Sequence, residues 1–139
     1  MSVSGSELKQ LMIDTAADAS AYAAEEFAAT LDQSVESLET VDQLILQARE
    51  KYGQDIHNSE IIFTLCNMFG AYVGEIFRNQ YGGTWVYDAS DNQAPSVFLQ
   101  KGEYTFAFAG IIYQRLINDQ TLSVRRYYEE AVTNAVPKQ

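Results

Sequence analysis

The segment Gly70-Ala71-Tyr72-Val73-Gly74-Glu75, followed by Gly82-Gly83-Thr84-Trp85, constrains this chain more than any other. Two glycines stand one helical turn apart inside an apolar run. Each costs about 1 kcal/mol against alanine in a helix interior, so close packing must offset them. From Ser59 to about Gln80 the apolar positions Ile61, Ile62, Leu65, Met68, Phe69, Tyr72, Val73, Ile76 and Phe77 cover a broad face, which predicts the central helix of the fold. Cys66, Gly70 and Gly74 recur every four residues and line one thin strip. Gly82-Gly83 stops the helix and turns the chain into its only tryptophan, Trp85.

A second thin surface lies near the N-terminus. Ser6 to about Leu31 reads as a long helix capped by Ser6, and its many alanines let another helix approach closely. The strip carrying Gly70 and Gly74 is expected to meet that alanine face. Asp32-Gln33-Ser34 interrupts the pattern, with Ser34 as N-cap of a second helix over about Val35 to Lys51. Gly53 should close it in a left-handed conformation, Asp55 to Ser59 form a link, and Asn58 caps the third helix.

After Trp85 the chain favours strands. Thr84-Trp85-Val86-Tyr87 and Ser96-Val97-Phe98-Leu99, separated by turn chemistry from Asp88 to Pro95, predict an antiparallel hairpin lying against the helices. Tyr104 to Asn118 carries both periods and is read as helix; a last helix starts at Thr121 or Ser123 and ends at Ala135. The expected fold is α+β, mostly α: a single domain over residues 1–139, frayed at 1–5 and 136–139, with about five helices and a hairpin between helices 3 and 4.

Charge and motif content narrow the function classes. Nine Lys/Arg against nineteen Asp/Glu give a formal charge of −10, which repels nucleic acid and anionic membrane and favours solubility or a basic protein partner. The N-terminal residues show no basic-then-apolar leader, and the central helix, with Asn67, Glu75 and Arg78, reads as too polar to span a membrane, so the expectation is a soluble, cytoplasmic protein. The one cysteine, Cys66, reads as a small buried hydrophobe. The one histidine, His57, reads as a loop or capping residue. Asp88-Ala89-Ser90-Asp91-Asn92 lacks the glycine and terminal glutamate of a calcium loop. No metal and no cofactor is expected, and no nucleophile elbow, phosphate loop or dinucleotide fingerprint is present.

Glu75, beside a glycine at a close helix crossing, is the one residue with a chemically suggestive setting. A structural ion pair with Arg78 or Arg115 is its first reading and a catalytic acid its second. Trp85 reads as a core plug. Tyr127 and Tyr128 must diverge on a helix, leaving one to face a partner. The candidate binding set is therefore Glu75, Trp85, Arg115 and Tyr127.

Leu31-Asp32-x-Ser34-x-x-Ser37-Leu38-x-x-Val41-Asp42, Gly70-x-Tyr72-x-Gly74-Glu75, Gly83-x-Trp85 and Gln114-Arg115 together resemble a family of small bacterial domains of unknown function, over about residues 20 to 130. The resemblance implies a junction motif at Asp32, Ser34 and Ser37 and a hairpin entry at Gly82-Gly83. It also implies a likeness to immunity proteins that neutralise a neighbour's toxin. Three function classes are carried forward: a non-catalytic protein-binding module of immunity or regulatory type, a small hydrolase or lyase using Glu75 with His57 or a tyrosine, and a structural homodimer built on the last helix.

Overall fold

The computed structural model describes residues 5–90 and 96–136. Five helices and a three-stranded antiparallel sheet follow in the order α1 (Gly5–Phe27), α2 (Ser37–Tyr52), a 3₁₀ turn (Gly53–His57), α3 (Ser59–Tyr81), β1 (Thr84–Asp88), β2 (Ser96–Lys101), β3 (Tyr104–Phe106), α4 (Phe108–Tyr113), a π-turn (Gln114–Asn118) and α5 (Val124–Ala135). The α+β, mostly helical class is as the sequence predicts, with the sheet between the third and fourth helices. The expected frayed ends fall almost wholly outside the described residues, but Gly5 already belongs to α1 and Val136 still hydrogen-bonds back to Val132.

α3 is the centre. Every residue from Met68 to Phe77 is buried, so this stretch of the helix is covered all round, before Asn79 and Gln80 in the last turn emerge again. In its first half Phe63 and Thr64 remain exposed. Among the described residues α3 is the one helix long and apolar enough to cross a membrane, despite Asn67, Glu75 and Arg78, which corrects the expectation drawn from those residues. Its apolar residues are used in the core, since 67% of the most apolar window is buried.

Several boundaries follow from local chemistry. Asn58 accepts hydrogen bonds from the Glu60 and Ile61 amides and caps α3, and Ser123 does the same for α5 through the Arg126 amide. Gly53 ends α2 at φ 54°. The first helix stops four residues earlier than predicted, because Ala28 turns left-handed (φ 52°) and its amide closes back on the Ala24 carbonyl. Ser6 lies inside that helix instead of capping it.

The segment 104–118 divides. Tyr104–Phe106 adds a third strand to the predicted hairpin, placing Phe106 opposite Leu99, which is itself opposite Trp85. These three side chains form a buried row across one sheet face. Helix begins only at Phe108, because the alternating Tyr104-Thr105-Phe106 finds hydrogen-bond partners on β2 that no isolated reading supplies.

The glycine strip meets a different neighbour from the one predicted. α1 and α3 do pack together, through contacts such as the edge-on Tyr22–Phe69 pair. Yet a Cβ on Gly70 would come within 2.7 Å of the Ala109 backbone, and one on Gly74 would overlap the Trp85 six-membered ring. The glycines thus open room for α4 and for the tryptophan, not for the alanines of α1. Gly83, at φ 123°, supplies the turn that brings Trp85 back over Gly74.

Candidate functional site

Three polar nodes account for the polar motif residues, and two of them join distant stretches of chain. At the first, the Gln33 amide donates to Tyr72 Oη at 2.7 Å and Ser37 Oγ lies 2.7 Å from the same oxygen. Ser37 donates its proton to the Ser34 carbonyl at 2.6 Å, so the Tyr72 hydroxyl must donate to Ser37. Ser34 in turn donates to Asp32 at 2.6 Å and accepts from the Ser37 amide at 3.1 Å, capping the turn that leads into α2. Burial holds the Tyr72 hydroxyl above its ordinary pKa, which suits a neutral structural donor. The junction motif and the Tyr72 of the glycine motif are two halves of one clasp.

The second node holds Glu75. Its Oε2 accepts from Arg78 Nε at 2.7 Å and from Trp85 Nε1 at 2.9 Å, and its Oε1 accepts from Arg78 Nη2 at 2.9 Å. The residue is only 6% exposed. Burial alone would raise its pKa, but the hydrogen bonds from Arg78 and Trp85 and the arginine charge together outweigh it and hold the carboxyl below its ordinary value. Both oxygens are engaged, so Glu75 is a sealed carboxylate. Of its two predicted partners Arg78 is correct and Arg115 is not.

Arg115 belongs to the third node. The π-turn, closed by the Asp119 amide on the Gln114 carbonyl at 2.7 Å, directs the buried Arg115 toward α2. There its Nε and Nη2 donate to the Asp42 carbonyl at 3.1 and 3.0 Å, its Nε lies 3.2 Å from Asp42 Oδ1, and Nη1 donates to the carbonyls of Gln120 and Leu122. Asp42 also caps α5 from outside: its carboxylate accepts from the amides of Val124 (2.7 Å) and Arg125 (3.3 Å) and from Ser123 Oγ (2.9 Å). The motif positions Asp42 and Arg115 fasten α2 to α5.

The candidate set therefore does not converge. Glu75 and Trp85 touch, whereas Arg115 serves another node and Tyr127 packs half-buried and edge-on against Phe108. Tyr128 is buried and donates to Gln80 at 3.0 Å, so neither tyrosine of the last helix stands out to meet a partner. His57 is exposed at the end of the 3₁₀ turn, away from the sealed Glu75. Cys66 is buried, with its thiol pushed up to about 12 by desolvation, and is unreactive as predicted. No group of three or more His, Cys, Asp or Glu placed to hold a metal occurs among the described residues. Asp88 takes a turn role, accepting from the Ser90 amide at 2.9 Å; Asp91 to Pro95 lie outside the described residues.

The surface offers what the interior does not. Between α1 and the half-covered N-terminal part of α3 runs a groove of about 400 Å³, lined among others by Leu11, Thr15, Asp18, Phe63 and Asn67. Phe63 is 71% exposed and Leu11 54%. Leu11 is one of the apolar positions by which the first helix reads as a helix, and Phe63 lies outside the apolar positions that predict the third; the one signal for it is a third large apolar residue beside Ile61 and Ile62, wider than one buried stripe needs. Neither a family model, nor a curated protein, nor a solved structure matches this chain.

Proposed function

We propose that this chain is a non-catalytic protein-binding module, of immunity or regulatory type and acting in the cytoplasm, whose partner presents a basic patch. The observation that carries the reading is a contrast in how polar groups are used. Among the described residues every buried side-chain nitrogen and oxygen has a hydrogen-bond partner, including those of Glu75, Asp42 and Arg115. Asp18 and Glu60, beside exposed apolar side chains, make no ion pair among the described residues. A net charge of −10 with unpaired surface acids speeds encounter with a cationic protein and discriminates against anionic ones. Nothing favours the hydrolase reading, because Glu75 has both oxygens occupied and no titratable group placed for a reaction beside it.

The test is copurification from native cells after mild crosslinking. A stoichiometric basic partner is expected, with recovery falling as ionic strength rises and charge pairing is screened. Recovery of the chain alone, or with an acidic partner whose capture does not respond to salt, contradicts the reading.

A further inference from the structure

We propose that the groove between α1 and α3 is the docking site for an amphipathic helix whose apolar face is flanked by lysine or arginine. The proposal rests on the binding-module reading above and gives that reading its site and partner chemistry. One wall carries Leu11, Thr15 and Asp18, and the next residue of that spacing, Tyr22, lines a neighbouring hollow that shares Thr64; the facing wall carries Phe63 and Asn67. The seam runs the length of about three helical turns. Two helical ridges with a trough between them accept a third helix by ridge-into-groove packing.

The walls also select against an extended peptide. The two facing walls are α-helices whose backbone groups are satisfied within the helix, so a strand laid along them would find no ladder partner on either; Val97 of β2 is the one strand residue in the lining. A helix arrives with its backbone already paired. Phe63 and Leu11 would anchor its apolar face, much as large side chains anchor other helix-in-groove complexes.

Charge decides what flanks that face. Glu60 stands beside Phe63 in an adjoining hollow and Asp18 lies on the opposite wall; among the described residues neither forms an ion pair and no lysine or arginine lines any of the three hollows along the seam. A cationic rim on the incoming helix satisfies both acids. A second copy of this chain would instead bring acid to acid on a molecule of formal charge −10, and an anionic lipid surface meets the same repulsion.

The experiment is a nuclear magnetic resonance titration of the isotope-labelled chain with two synthetic peptides of about five helical turns. One carries leucines along a single face with lysines beside it; the other has the same composition with the leucines dispersed. The first peptide is expected to shift resonances of residues 11–22 and 60–68 and to bind about tenfold more tightly than the second. Phe63→Asp should weaken it about tenfold, and Asp18→Lys with Glu60→Lys about fivefold with a shallower salt dependence. Equal binding of both peptides through other acidic faces overturns the groove while leaving the basic-partner reading intact. No binding at about 1 mM also overturns the groove, and the copurification above then judges the broader reading alone.

Discussion

On the α2/α5 side, Arg125 reaches Glu39 at 2.7 Å and Glu129 at 3.6 Å, Arg126 reaches Glu130 at 3.7 Å, and Asp42 is divided between Arg115 and the first amides of α5. On the α1/α3 side, Asp18 and Glu60 have no ion-pair partner among the described residues and stand beside Phe63 and Leu11, which are more than half exposed. Both sides are grooved and both are acidic in sequence. They differ in what removal of their residues would do. Groups on the first side hold two helices in place, while Asp18, Glu60, Phe63 and Leu11 on the second face outward and are the groups the proposed partner would engage.

The largest effect should come from Asp42→Ala. It uncaps α5 and leaves the buried Arg115 without its carboxylate, at a cost of about 3 to 5 kcal/mol, read as a shift in the urea unfolding midpoint. Gly74→Ala follows at about 2 to 3 kcal/mol, because the added methyl overlaps a tryptophan ring that is itself tied to Glu75; a loss under about 0.5 kcal/mol would mean the Trp85 packing is wrong.

The pH dependence of stability isolates Glu75. Its folded-state pKa lies below the ordinary 4.5, so its contribution is present above the unfolded value and is lost as pH falls through the lower folded one. Wild type should therefore lose stability more steeply than Glu75→Gln when pH is lowered from about 5 to about 3, and parallel curves would contradict the sealed-carboxylate geometry. A smaller gain is expected from Ala28→Gly. A left-handed position favours glycine, and Ala28 is exposed, so stability should rise by about 0.5 to 1 kcal/mol, read as a higher urea unfolding midpoint. Smallest of all is the stability change for Phe63→Asp, within about 0.5 kcal/mol, since a side chain 71% exposed supports little packing.

Much of the helical frame was legible because its signals are local. The Asn58 cap, the Gly53 stop and the Ser123 start depend on residues within one turn of the boundary. The partner of the glycine strip was not legible. A four-residue spacing says that Gly70 and Gly74 share a face, but not whether an alanine helix or a returning tryptophan will cover it. The clasp of Tyr72 on the Asp32–Ser37 loop and the reach of Arg115 to Asp42 cross 35 and 73 residues of chain. No periodicity encodes such separations, although both motifs contained the residues that make them. Phe63 was missed for a related reason: its exposure depends on α3 being covered all round only between Met68 and Phe77.

The division of labour between the two sides is tested most directly by measuring the affinity of Phe63→Asp for the leucine-faced, lysine-flanked peptide, under conditions where its unfolding midpoint has been determined. The account predicts an unfolding midpoint unchanged from wild type and affinity lowered about tenfold. Unchanged affinity, or a loss of affinity matched by a loss of about 2 kcal/mol or more in stability, would contradict it.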